Sequence, residues 1–116
     1  MSFTDYQNES KKSMEQPFST LYLALGLCGE AGEVANNVKK LFRDKNKLCD
    51  EEFERLRKDT LAECGDVLWY LSQLCSSLDG NLQGVALGNL KKLGARYNIP
   101  HISLPDSGSE YESNSL

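Results

Sequence analysis

Apolar residues recur at helical spacing along almost the whole chain, and no segment of useful length alternates apolar and polar residues as a strand would. The pattern predicts four helices, at about 3–14, 19–42, 51–78 and 82–97. Ser19 or Thr20 is expected to cap the second helix and Asp50 the third. We therefore expect an all-α fold, a helical bundle of about four to five helices.

The domain organisation follows from where this pattern stops. Residues 1–98 form the predicted helical domain, and 99–116 form an irregular tail rich in Ser and acidic residues. In a chain of 116 residues, 40% of them hydrophobic, the core is modest, so we expect the protein to be oligomeric. The four cysteines lack C-x-x-C spacing, which favours buried free thiols. Helical placement assigns further apolar side chains to the core, among them Leu21, Leu25, Phe53, Leu78, Leu82, Leu90 and Tyr97.

The charge pattern excludes several classes of partner. The chain carries 13 Lys and Arg against 17 Asp and Glu, a net charge of −4, so a surface for duplex nucleic acid is not expected. The polar N-terminus does not resemble a secretory signal, and no apolar run is long enough for a membrane span. We therefore expect a cytoplasmic protein without a membrane partner, either cellular or virus-encoded and acting in the host cytoplasm.

Two acidic pairs with the same spacing interrupt the apolar pattern: Glu30 with Glu33, and Glu63 with Asp66. Residues three apart on a helix are neighbours, so each pair can aim two carboxylates at one point. In an antiparallel arrangement, Glu33 and Glu63 both lie about 15–18 Å from the connection between their helices. Clustered carboxylates repel one another and take up protons unless hard divalent cations neutralise them. The spacing therefore predicts a metal site.

A polar stripe on the fourth helix carries Asn89, Lys92 and Arg96. Measured from the turn at 79–81, the two cations of this stripe lie at a depth similar to that of Asp66. On the second helix, Asn37 and Lys40 continue the stripe of the first acidic pair. We therefore expect acids to face cations across one cavity.

These segments resemble the MazG-type nucleoside triphosphate pyrophosphohydrolases. The resemblance is carried by GEAGEV at 29–34 with Lys39 and Lys40, by ECGDV at 63–67 with Trp69 and Tyr70, and by NLKK at 89–92 followed by Arg96 and Tyr97. Gly29 departs from the family pattern, because a first Glu often stands there. The resemblance implies the MazG-like all-α fold, a homodimer or homotetramer, and dependence on Mg²⁺, for which Mn²⁺ substitutes. It also implies cleavage of an NTP or dNTP between the α and β phosphates, giving the monophosphate and pyrophosphate.

This chemistry needs positioned metals, charge neutralisation and an oriented water, without a side-chain nucleophile. Either Glu33 or Glu63 is the candidate general base that takes a proton from the metal-activated attacking water. The predicted metal ligands are Glu30, Glu33, Glu63 and Asp66. The predicted phosphate or sugar contacts are Lys40, Asn89, Lys92 and Arg96, with Lys39 and Asn37 as further candidates. Tyr70 or Trp69 is expected to stack on the base or wall its pocket.

Two other classes of protein also carry acidic stripes on helices. A redox di-iron bundle also buries acids among helices, but it typically draws Glu-x-x-His from two helices, and this sequence contains no such motif. A non-catalytic helical interaction module leaves the clustered carboxylates uncompensated in the free protein. Removal of aberrant nucleotides, adjustment of dNTP pools and a viral role in host nucleotide supply are all compatible with hydrolysis.

Overall fold

The computed structural model describes residues 1–98, which fold into four helices without a strand. Within these residues, no helix combines the length and the apolar character that crossing a membrane requires. The all-α prediction is confirmed, whereas the predicted tail at 99–116 lies outside the described residues. The helices are α1 (Phe3–Lys11), α2 (Thr20–Arg43), α3 (Asp50–Ser77) and α4 (Leu82–Arg96).

The helix ends follow local hydrogen bonding. The Ser19 side chain accepts a hydrogen bond from the backbone N–H of Tyr22 and caps α2, so of the two candidates, Ser19 and Thr20, the first is the cap. At the start of α3 the backbone N–H of Phe53 donates to the carbonyl of Cys49 at 2.9 Å, so Cys49, and not Asp50, holds the cap position. The first helix ends at Lys11, about one turn earlier than predicted.

The described chain divides into two compact units. The first contains Met1–Pro17 and the residues from Cys75 onward, and the second contains Phe18–Leu74. In the first unit α1 packs against α4. The side chain of Gln7 joins them: its amide donates to the Ser76 hydroxyl at 2.8 Å and to the Gly80 carbonyl at 3.0 Å, and its oxygen accepts from the backbone N–H of Leu82 at 2.8 Å.

The second unit pairs α2 with the larger part of α3. Gly26 of α2 lies against Tyr70 of α3, and a carboxylate oxygen of Glu30 on α2 lies within 4.8 Å of one of Glu63 on α3. Moving forward along α2 therefore means moving backward along α3, so the two helices are antiparallel, as expected from their short connection.

The predicted core is largely wrong for the isolated chain. Of the apolar side chains in residues 1–98, only Leu23, Leu82 and Leu87 are buried. Leu82 was expected in the core, but Leu21 and Leu25 are 69% and 65% exposed. The other exposed members of the predicted core are Phe53, Leu78 and Tyr97, while Leu90 is half-buried. The cysteines are free, as expected, but Cys28, Cys49 and Cys64 are exposed and Cys75 is half-buried.

Candidate metal centre

Three of the four predicted acids converge in the second unit. Glu30, Glu63 and Asp66 each offer a carboxylate oxygen, and these atoms all lie within 4.8 Å of one another. Glu30 and Glu63 are half-buried, whereas Asp66 is exposed. The first of these acids comes from α2 and the other two from α3, so the antiparallel pairing of the helices builds the group.

The Glu63 carboxyl is affected by burial and by its acidic neighbours. Burial raises the pKa of the Glu63 carboxyl above its ordinary value of 4.5, and a hydrogen bond with Glu30 raises it further. The negative charges of Asp66, Glu30 and Glu33 act in the same direction. Four carboxylates therefore interact at this point of the structure, and without a cation their mutual repulsion is relieved by holding a proton.

Glu33 stands apart from the group of three. Its side chain is exposed, and it is not among the acids whose oxygens come within 4.8 Å of one another. Its charge nevertheless raises the pKa of Glu63, so the two residues remain electrostatically coupled. The four predicted ligands thus differ in exposure, because Glu33 and Asp66 are exposed whereas Glu30 and Glu63 are half-buried.

The other candidates of the second unit occupy α2 and α3. Asn37 and Lys40 are half-buried on α2, one and two turns beyond Glu33, and Lys39 is exposed. Lys40 also acts on Asp44, whose pKa is lowered first by its hydrogen bond with Arg43.

Trp69 and Tyr70 are half-buried on α3, and their rings meet edge to face with centroids 5.0 Å apart. Burial raises the pKa of the Tyr70 hydroxyl, and the charges of Tyr22, Glu30 and Asp66 raise it further. Tyr70 therefore belongs to the surroundings of the acidic group.

The three candidates of α4 belong to the first unit. Asn89, Lys92 and Arg96 are exposed on this helix, and the Arg96 guanidinium lies 6.0 Å from the centroid of the Tyr97 ring. Cations in the last turn of a helix also favour its negative end. Their role as phosphate contacts stays a prediction.

The donor set fits a hard divalent cation. Glu30, Glu63 and Asp66 offer only carboxylate oxygens, the ligands that Mg²⁺ and Mn²⁺ prefer. Mg²⁺ usually takes one or two carboxylates and completes its shell with water and substrate phosphates. A partly exposed group of three acids leaves room for both. The group also lacks the histidines of a typical di-iron bundle.

Comparison with known proteins identifies the class of this acidic helical fold. Residues 18–101 match the family described as the MazG nucleotide pyrophosphohydrolase domain. The chain therefore belongs to the MazG nucleotide pyrophosphohydrolase family.

A relative, the Gene 37 protein of Mycobacterium phage L5, is 49% identical over 75 residues. The aligned part covers 65% of this chain and 63% of that protein, so the chain spans less than two thirds of its relative. No solved structure matches.

The sequence indicates a close helix approach at Gly26, but it does not identify the side chain that lies there. Gly26 lies so close to Tyr70 that an added Cβ would overlap the Cε1 atom of the ring. The only signal in the sequence was a glycine inside a long helix, where it costs about 1 kcal/mol relative to alanine. That signal shows that something compensates the glycine, but it does not reveal which side chain lies there.

Proposed function

We propose that this protein hydrolyses a nucleoside or deoxynucleoside triphosphate between its α and β phosphates. The convergence of Glu30, Glu63 and Asp66 on one point carries the proposal. Membership in a nucleotide pyrophosphohydrolase family supports the same reaction class. The proposed substrate places the protein in a cytoplasm, where nucleoside triphosphates are available.

The three converging carboxylates would hold Mg²⁺, with Mn²⁺ able to replace it. When bound, such ions neutralise phosphate charge and lower the pKa of water. The carboxylates fix the position of the triphosphate by fixing its counter-ions, and they provide no nucleophile. Lys40 of α2, with Asn37 and Lys39, is proposed to contact phosphate oxygens, together with Asn89, Lys92 and Arg96 of α4.

The reaction needs a base as well as ligands. We assign this role to Glu33 ahead of Glu63, because Glu33 lies outside the group of three and keeps its lone pairs available. Glu33 would take a proton from the attacking water while the oxygen of that water forms a bond to the α phosphorus. The bond from that phosphorus to the bridging oxygen breaks, and pyrophosphate leaves. The monophosphate and pyrophosphate are the balanced products.

The products and the fate of water oxygen test this reaction. We would incubate the protein with each NTP and dNTP, with Mg²⁺, in water enriched in ¹⁸O. Monophosphate that carries the label, with unlabelled pyrophosphate, is the expected result. Label in pyrophosphate would mean attack at the β phosphorus, and diphosphate with inorganic phosphate would mean another cleavage site. Absence of turnover with every nucleotide would favour the interaction module.

Self-association forms a second part of the proposal. On α2, Leu21, Leu25 and Phe42 are 69%, 65% and 76% exposed, and between them Cys28, Gly32 and Ala35 continue an exposed face of small residues. A second copy of the chain would cover this face in a homodimer or homotetramer. Sedimentation equilibrium of the wild type and of Leu25→Glu tests it, with Val85→Glu as an exposed control in the first unit. A monomeric wild type at micromolar concentration would contradict it.

A further inference from the structure

Gly26 and Tyr70 form a close contact between α2 and α3. A Cβ atom on Gly26 would lie less than 3.0 Å from the Cε1, Cδ1 and Cζ atoms of the Tyr70 ring. Real Cβ atoms do not approach other heavy atoms so closely, so any side chain at position 26 would move the ring. Gly29 and Gly32 of the same helix have no such neighbour within 4 Å. Of these three glycines, Gly26 is therefore the one whose missing side chain leaves space for the Tyr70 ring.

This contact lies next to the acidic group in the register of both helices. Glu30 follows Gly26 by four residues on α2, and Asp66 precedes Tyr70 by four residues on α3. Residues four apart on a helix share a face and differ in height by about 6 Å. Because the helices are antiparallel, the contact between Gly26 and Tyr70 lies one helical turn from the converging carboxylates.

The surroundings of Tyr70 suit a flat ligand group. Its ring is half-buried, with Trp69 edge-on to it at 5.0 Å. Along α2, Tyr22 precedes Gly26 by four residues, is 49% exposed and stacks on Phe18 with centroids 4.3 Å apart. Aromatic rings thus continue the surface away from the acids. A nucleotide with its phosphates at the acids would extend its sugar and base in this direction.

We propose that Gly26 is a positioning residue that seats the Tyr70 ring one turn from the metal centre, where the ring walls the subsite for the sugar and base of the nucleotide. This inference rests on the proposed function, since it assigns a part of the same site. Gly26 itself touches no substrate. It acts through Tyr70, because the ring can lie across α2 only where no side chain projects.

The test is a double-mutant cycle with two readouts. Gly26→Ala, Tyr70→Ala and the double variant are compared with the wild type, with Gly29→Ala as a matched control on the same helix. Trp69 is the single tryptophan and contacts Tyr70, so its fluorescence reports where the ring lies. The second readout is KM for the best nucleotide, measured with kcat and with the affinity for Mn²⁺.

We expect Gly26→Ala to shift the Trp69 emission and raise KM about tenfold, the scale of losing one base–aromatic contact. The affinity for Mn²⁺ should be unchanged and kcat should change much less than KM. In the Tyr70→Ala background, Gly26→Ala should add nothing to either readout. Tyr70→Phe should keep the Trp69 emission and most of the affinity for the nucleotide, because the ring, not the hydroxyl, occupies the space beside Gly26. Gly29→Ala should behave as wild type.

Other outcomes would overturn the inference. An equal rise in KM with and without the Tyr70 ring would show that Gly26 acts by another route, and unchanged emission and KM would show that the ring has no need of the glycine. If Gly26→Ala fails to fold, the double variant is compared with it. Folding of the double variant supports a clash between the new side chain and the Tyr70 ring, and a double variant that does not fold contradicts this clash. If the wild type hydrolyses nothing, the proposed function fails separately. Because the nucleotide is then not consumed, its dissociation constant is measured in place of KM for the same set of variants.

Discussion

The two units of the chain differ in how their polar side chains are paired. In the first unit Gln7 is 4% exposed, and its side chain makes three hydrogen bonds with Ser76, Gly80 and Leu82. In the second, Glu30, Glu63 and Asp66 lie close together, and burial followed by the neighbouring carboxyl groups raises the pKa of Glu63. Satisfied polar groups stabilise a fold, whereas unneutralised carboxylates destabilise it. The buried amide of the first unit therefore supports its fold, whereas the acidic group of the second unit is suited to holding a cation.

The largest expected effect concerns the second unit. Glu63→Gln removes a proposed ligand and should lower pyrophosphate release at least about 100-fold, because a weakly held cation stabilises less of the charge that develops in the transition state. Glu54→Gln is the control, since Glu54 lies on the same helix in an exposed ion pair with Arg57. Steady-state assays with Mg²⁺ would measure both variants. Comparable loss in both, or in neither, would contradict the role of Glu63 as a ligand in the second unit.

The next effect concerns the first unit. Gln7→Ala leaves the buried N–H of Leu82 without its acceptor and removes the donor to Ser76 and Gly80. The free energy of unfolding should fall by about 3 kcal/mol, because a buried polar group without a partner costs about 1–3 kcal/mol. Urea unfolding would measure the change, with Asn8→Ala, an exposed neighbour in α1, as control. A loss below about 1 kcal/mol would show that the network is not a main support of the unit.

A smaller effect compares the helix caps of the two units. Ser19 caps α2 through Tyr22 alone, and Ser19→Ala should cost about 1 kcal/mol. Asn81 caps α4 through Gly84 and also donates to Thr4, so Asn81→Ala should cost more. Thermal unfolding of both variants would rank them. An equal or reversed order would contradict the inference that polar side chains contribute more hydrogen bonds to the stability of the first unit.

The smallest expected effect is the pH dependence of the metal-free protein. The folded pKa of Glu63 is raised above 4.5, so the folded state binds its proton more tightly than the unfolded state does. This contribution is therefore favourable at low pH and is lost as pH rises from about 4.5 through the folded pKa. The melting temperature of Glu63→Gln should depend less on pH in this range, and Mg²⁺ should offset the loss in wild type. A wild type and variant with identical pH profiles would contradict it.

The sequence predicted the elements better than it predicted their surroundings. Helical periodicity located all four helices of residues 1–98, and the hydroxyl of Ser19 correctly marked the start of α2. Periodicity identifies an apolar face, but it does not say whether the same chain covers that face. Leu21 and Leu25 were therefore assigned to a core that does not bury them.

The candidate site shows the same division. The repeated three-residue spacing of the acids anticipated that α2 and α3 would bring carboxylates together. The exact members depend on helix rotation and side-chain direction, which spacing does not fix, so Glu33 was grouped with acids from which it stands apart. The roles of Gly26 and Gln7 arise from contacts with residues distant in sequence. No local pattern records such contacts.

Binding of Mn²⁺ to the substrate-free protein tests the central claim most directly, because it asks only whether the converging acids hold a cation. We would titrate Mn²⁺ into the wild type, Glu54→Gln and the double variant Glu30→Gln/Glu63→Gln, following heat and the free-ion electron paramagnetic resonance signal. The account predicts binding to the first two and at least about tenfold weaker binding to the folded double variant. Equal affinity in all three proteins would contradict it.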